Sequence, residues 1–290
     1  MARKFILIVA MVMAAIMAKS QFLWKISGKG VEHDSYVLGT HHVAPLWMLD
    51  SIAGFDEAFS SCEQVYGEVK MSEAGAAMAA KMQKYMMAPE DSLLTSLYDE
   101  DELKVVDAAV RKYFNVPVGQ LAMMKPAALM TQVAVILSAK AFDGFNPEKQ
   151  IDGVVQQMAK GRHMEINGFE TVEEQLHLLF DTPVAEQAED LLEMFKEEQR
   201  YVDFSRRLAD LYVHQDIDGL YEMMLDPEFG MTEAETAVMM NDRNERWIEQ
   251  LKTILPEKST FIVVGAGHLP GDKGLLSLLK KEGYSVTPVR

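Results

Sequence analysis

The hydrophobic positions of this chain change their period along its length, and the changes divide it into elements. Phe22-Leu-Trp-Lys-Ile26 is a short, mostly apolar run, followed by Gly28 and Gly30 and then by Ser35-Tyr-Val-Leu38. Two such runs around a glycine-containing turn predict a β-hairpin. Gln64-Val-Tyr-Gly-Glu-Val69 predicts another strand, with a helical stretch through Phe55 and Phe59 before it. From about Ser72 to Lys160 the apolar residues recur at helical spacing. Asp99-Glu-Asp-Glu-Leu103 starts one helix there, and Pro117, Pro126 and Asn146-Pro147 punctuate the rest. His163-Met-Glu-Ile-Asn167 returns to a strand pattern and ends at Gly168-Phe169-Glu170. Thr171-Val-Glu-Glu174 has the spacing of a capping box, in which Thr and Glu satisfy each other's unpaired amides at a helix start. Helical spacing then runs to about Leu255. Thr260-Phe-Ile-Val-Val264, bounded by Pro256 and Gly265, predicts a buried strand. A helix over Gly274–Glu282 and a strand over Tyr284–Val289 close the chain.

Strands far apart in sequence, separated by long helical stretches, predict an α/β fold. It has a small central β-sheet with large helical insertions at about 71–160 and 171–255. No low-complexity linker and no fixed-period repeat interrupts the pattern, so residues 21–290 read as one domain. The methionines number 21, mostly at helical spacing, and read as core filling, because Met packs irregular gaps.

Residues 1–20 read as a secretory signal: Arg3 and Lys4, an apolar run from Phe5 to Met17, then Ala18-Lys19-Ser20. The run falls short of the roughly 20 residues that span a bilayer. No other stretch is long and apolar enough to do so, and a periplasmic or secreted protein is expected. The segment carries three basic residues and no acidic one, so its removal takes the net charge from -16 to -19. That acidity argues against a nucleic-acid partner, since phosphate binding is driven by Lys and Arg. The single Cys62 excludes an intrachain disulfide and a multi-cysteine zinc site. Cys62 itself reads as a small buried apolar residue.

Two predicted strand ends share one pattern, Gly39-Thr-His-His42 and Gly265-Ala-Gly-His268. In an open α/β sheet, ligands bind beyond the carboxyl ends of the strands. Glycine lets the chain turn there, and a histidine three residues on can point back over the edge. His42 and His268 are therefore candidate metal ligands or acid–base groups. Glu68 and Glu170 lie at two further strand ends and are candidate ligands or general bases. Glu68 also reads as a solvated charge beside Lys70, and Glu170 as a favourable charge at a helix N-terminus. Arg243, in Asp242-Arg-Asn244, is a candidate to bind a substrate anion or to orient a carboxylate bidentately. The Gly-x-Ser-x-Gly elbow, the His-Glu-x-x-His helix and the phosphate-binding Gly-Lys loop are all missing from the sequence.

Four segments carry a resemblance to the TraB/GumN family, bacterial relatives of the Tiki proteins. They are Tyr36-Val-Leu-Gly-Thr-His-His-Val43, Gly168-Phe-Glu-Thr-Val-Glu-Glu-Gln175, Asp242-Arg-Asn-Glu-Arg-Trp247 and Val264-Gly-Ala-Gly-His-Leu-Pro-Gly271. The resemblance implies an erythromycin-esterase/ChaN-like core and, from the Tiki proteins, metal-dependent proteolysis associated with manganese or cobalt. His42 and His268 would then be ligands or catalytic residues, with Glu68 and Glu170 as the acidic positions. His41 stands where the family usually has an apolar residue, and Ala44 where it often has glycine. The expected function is a metal-dependent hydrolase of the metallopeptidase kind, using Mn, Co or Zn on a peptide or small-molecule substrate. The alternative is a non-catalytic protein that binds haem or another small ligand in the same cleft.

Overall fold

A computed structural model describes residues 21–290 apart from 72–75, 143, 147–148 and 228–230, with the side chains of 76–78 also left aside. The expected export signal lies outside the described residues. Among the described residues there are six strands: β1 (Leu23–Ser27), β2 (Ser35–Thr40), β3 (Gln64–Val69), β4 (Glu165–Glu170), β5 (Thr260–Gly265) and β6 (Ser285–Pro288). They form one mixed sheet in the order β4-β3-β5-β2-β1-β6. The fold is α/β, as the pattern predicts. β2, β5, β3 and β4 run parallel, whereas β1 pairs antiparallel with both β2 and β6. β4 starts two residues later than its pattern suggests. His163 adopts φ 58° in the turn out of the preceding helix and donates its amide to Lys160 O, so pairing begins at Glu165.

Parallel neighbours require long crossovers, and helices supply them. α1 (Trp47–Asp50) and α2 (Phe55–Ser60) join β2 to β3. α3 (Ala76–Met86), α4 (Glu100–Phe114), α5 (Pro126–Ala141) and α6 (Ile151–Gly161) lie between β3 and β4. Between β4 and β5 come α7 (Val172–Phe180), α8 (Val184–Lys196), α9 (Glu198–Val213), α10 (Ile217–Met224), α11 (Glu233–Thr236) and α12 (Asp242–Glu257). A π-helical turn, Ala237–Asn241, leads into α12. α13 (Leu275–Lys281) precedes β6. The capping box at the start of α7 forms as predicted: Glu174 N–H donates to Thr171 Oγ1 at 3.2 Å and Thr171 N–H donates to Glu174 Oε2 at 2.7 Å.

β5 is central and covered on both faces, which is why Phe261, Ile262, Val263 and Val264 form an unbroken apolar run. One core cluster surrounds the sheet and includes Phe22, Phe59, Phe261 and Trp247. A second lies among α4, α5 and α8, where Val106, Val110, Leu129 and Leu191 have no exposure. Each such side chain contributes roughly 1.5–3 kcal/mol by leaving water. Cys62 is buried, and its thiol donates to Ala58 O at 3.4 Å.

Candidate active site

The four parallel strands deliver their carboxyl ends to one edge of the sheet. β2 leads to His42, β3 carries Glu68, β4 ends at Glu170 and β5 leads to His268. The two Gly-x-x-His motifs interlock there. A Cβ at Gly39 would lie 2.7 Å from Leu269 Cδ1 and 3.0 Å from Ala266 Cα, so a glycine is needed for the second motif to cross β2. A Cβ at Gly265 would press on Glu68 Oε1 at 3.3 Å, the atom that accepts the Gly265 N–H at 2.8 Å.

Glu68, Glu170 and His268 meet around the guanidinium of Arg243. Arg243 Nε donates to both Glu170 oxygens, at 3.0 and 3.1 Å, and Nη2 donates to Glu170 Oε2 at 2.9 Å. Nη2 also donates to Glu68 Oε2 at 2.7 Å. Nη1 donates to Met239 O and to His268 Nε2, both at 3.0 Å. All five N–H groups of the fork are thereby used within the protein. In this arrangement the guanidinium holds Glu170 bidentately and reaches Glu68 as well. Its side chain is 6% exposed, and that of Glu170 5%. Trp247 Nε1 and Arg246 Nη2 complete the donors on Glu170, at 3.1 and 3.3 Å. Burial opposes the charge on Arg243, but Glu170 and Glu68 hold its pKa above the ordinary value.

His268 is fixed by the same network. Asn244 Nδ2 donates to His268 O at 3.2 Å and to Lys273 O at 2.9 Å, so its Oδ1 accepts from His268 Nδ1 at 2.7 Å. The Nδ1–H tautomer is assigned by that network, and Nε2 becomes the acceptor of the Arg243 N–H. The Trp247 ring lies 4.4 Å from the imidazole, centroid to centroid. Burial is the main cause holding His268 down at about 3, so the ring is neutral at ordinary pH. Burial pushes the Glu68 carboxyl up, but His268, His42, Arg243 and the Gly265 N–H outweigh it and hold it at about 2. Gln175 Nε2 donates to Glu68 Oε2 at 3.0 Å, which leaves Oε1 as the oxygen with spare acceptor capacity.

His42 stands apart from the clamp but within its field. Its Nδ1 lies 3.3 Å from Asp152 Oδ2, and Thr40 Oγ1 donates to Asp152 Oδ1 at 2.8 Å. The His42 side chain is 61% exposed to solvent. The bond to Asp152 raises its pKa to about 9 against the effect of burial, and the charge of Glu68 adds to the rise. His41 turns the other way. It packs against Phe142 and Tyr212 at centroid separations of 5.0 and 5.5 Å, and burial lowers its pKa to about 4.

The donor chemistry bears on a resident metal ion. Glu170 is saturated by N–H donors, and His268 Nε2 is held by Arg243. The donors with capacity to spare are His42 Nε2, once deprotonated, and Glu68 Oε1. Among the described residues no group of three His, Cys, Asp or Glu side chains is arranged to hold an ion. In this arrangement the residues do not fit a protein-made metal cage, and the charge between the two glutamates is supplied by Arg243.

The model of the TraB/PrgY/gumN family matches residues 22–288. The chain belongs to the TraB/PrgY/gumN family. Neither a curated protein nor a solved structure matches it. In this TraB/PrgY/gumN protein the second Gly-x-x-His motif, the strand end with Glu170 and Gln175, and Arg243 with Asn244 and Trp247 build the clamp, and the first Gly-x-x-His motif brings His42 beside it.

Sequence reasoning missed Asp152. It sits in the first turn of α6, where an acidic residue is ordinary because the helix dipole favours it. Nothing in the sequence distinguishes that use from pairing with a histidine 110 residues earlier. The role of Asn244 was hidden for a similar reason, since only the fold brings its amide to His268.

Proposed function

We propose that this TraB/PrgY/gumN protein is a hydrolase in which the His42–Asp152 pair takes a proton from the attacking water. The observation that carries the reading is the pairing itself. An accessible histidine is bonded to a carboxylate at the strand ends, beside a rigid, fully hydrogen-bonded clamp. Asp152 occupies Nδ1, so Nε2 is the nitrogen that accepts the proton. A pKa of about 9 makes His42 a strong base once its own proton has gone. Glu68 Oε1, the oxygen with acceptor capacity to spare, would hold the water by accepting one of its hydrogens, and protonated His42 would return the proton to the leaving group. Arg243, Glu170 and Asn244 position Glu68 and His268 and take no part in the proton transfer. An acyl bond in a peptide or small molecule is the substrate class, and the N-terminal sequence supports action in the periplasm or outside the cell.

The test is hydrolysis of a peptide library and of nitrophenyl esters, with and without Mn, Co or Zn. The expected kcat/KM rises about tenfold per pH unit and levels near pH 9, and His42→Gln lowers it by about 10²–10⁴. Full activity in His42→Gln would overturn the assignment. No cleavage of either substrate set under any metal condition would favour the ligand-binding alternative. A Soret band that develops with added haem and is lost in His42→Ala would support that alternative directly.

One distance favours a second reading in which a divalent ion takes part. His268 Nε2 and Glu68 Oε1 lie 3.9 Å apart, and His42 acts on the same carboxylate. An ion using His268 would have to displace the Arg243 N–H. Calorimetric titration with Mn, Co and Zn decides it: one tight site lost in both His42→Ala and His268→Ala supports the metal, and no binding removes it.

A further inference from the structure

A cavity of about 610 Å³ lies behind the second Gly-x-x-His motif, bounded by α10, the π-helical turn and the loop before α13. Its volume falls within the roughly 300–1,000 Å³ typical of small-ligand sites. Met224, Met231 and Met240 line it together with Tyr221. Gly267 forms one wall, and a Cβ there would meet Met224 Sδ at 3.0 Å and Met240 Cε at 3.4 Å. Thioethers on unbranched chains reshape around apolar ligands at small cost.

Two features tie this cavity to recognition. Thr236 lines it, and Thr236 Oγ1 is buried with no hydrogen-bond partner among the described residues. A buried hydroxyl without a partner carries a desolvation cost that a ligand's polar atom would relieve. Asn244 also lines the cavity, and the same side chain accepts from His268 Nδ1. The cavity and the clamp therefore share a wall. Lys273 at the rim is paired with Glu245 at 3.0 Å, while Glu233 and Asp272 also border the opening, so its charge disfavours anions.

We infer that this methionine-lined cavity is a specificity subsite that takes an uncharged, apolar side chain of the substrate and hydrogen-bonds the adjoining amide of the substrate through Thr236. The inference rests on the hydrolase reading for the word substrate, but the binding itself is measurable without turnover. The experiment titrates the full chain, labelled with ¹³C in its methionine methyls, with N-acetyl-L-leucinamide and with N-acetyl-L-aspartate. The leucine probe is expected to shift the Met224, Met231 and Met240 signals saturably, and the aspartate probe to need at least about tenfold more. Thr236→Val, which keeps shape and loses the hydroxyl, is expected to weaken the leucine probe about three- to tenfold while the other methyl signals stay in place. A Met240→Leu chain, which keeps the wall apolar, is expected to bind within about threefold of the parent. Unmoved methionine signals, equal response to both probes, or full affinity in Thr236→Val would each overturn the subsite. Binding here without any hydrolysis would overturn the hydrolase reading alone, and hydrolysis without binding here would overturn the subsite alone.

Discussion

At Arg243 five donors meet five acceptors in a buried place, and the arrangement sets what each substitution does. Removing the guanidinium leaves Glu68 buried without its arginine and Glu170 with the exposed Arg246 alone. Arg243→Ala is expected to cost about 3–5 kcal/mol in urea unfolding. Arg243→Lys is expected to recover little, because an ammonium offers three donors without the planar fork. A loss under about 1 kcal/mol for Arg243→Ala would show that the clamp does not hold the site. His268 gives a second signature. Its folded pKa lies near 3 against an ordinary value of 6.5. Between those values the unfolded chain binds a proton that the folded chain does not, so stability falls as pH drops from about 6.5 to about 3. Glu68 acts in the same direction at lower pH, its stabilisation being present above 4.5 and lost as pH falls through about 2. His268→Asn is therefore expected to flatten the acid limb of stability between pH 6 and about 4, measured by chemical denaturation at each pH. An unchanged slope would mean that the ring is not held neutral.

The elements show what the sequence could and could not reveal. Among the described residues the six strands were legible, most of them as short runs rich in apolar or β-branched residues between glycine, proline or polar breaks; β4 is the exception, since Ile166 and Phe169 are its apolar residues and its pattern starts two residues early. The capping box at Thr171 and the helix start at Asp99 were legible from spacing, and the structure adds a capping box at Asp99 as well. Glu68, Glu170, His42 and His268 were legible as strand-end residues, since parallel strands send their carboxyl ends to one edge. Their partners were not, because Asp152 and Asn244 reach the site on helices whose faces only the packed fold orients. The π-helical turn before Arg243 has no signal in hydrophobic spacing, and such turns are frequent at functional sites. The meaning of Gly39 was also hidden, since its role is to leave room for a loop more than 200 residues away. Gly39→Ala is expected to cost about 1–3 kcal/mol, because the added methyl meets Leu269 and backbone at Ala266. Gly119→Ala, in a short turn with nothing within 4 Å of the new methyl, is expected to stay within about 0.5 kcal/mol of the parent. Equal urea midpoints for the two variants would remove the interlock argument.

Across the whole molecule, the sheet core and the helical core are separate clusters, and α9 joins them. Its N-terminal half sends Tyr201 and Val202 against the helical core. Its C-terminal half buries Ala209 and Tyr212 in the core around the sheet, where Tyr212 also donates to Gly39 O at 3.2 Å. A continuous helix transmits the loss of either cluster to the other, so one cooperative unfolding transition is expected. The tryptophans make this measurable. Trp247 lies in the sheet core and Trp24 packs against it, whereas far-UV circular dichroism is dominated by the helices. Fluorescence and dichroism should give coincident urea curves for the parent. Ser205 lies near the middle of α9 between the two contact regions. Ser205→Pro removes a helical N–H and clashes with the preceding turn, at a cost of about 3 kcal/mol or more. It is expected to separate the two curves, with dichroism falling at lower urea than fluorescence. Coincident curves in Ser205→Pro, at a lowered midpoint, would mean that the cores are coupled through contacts other than α9.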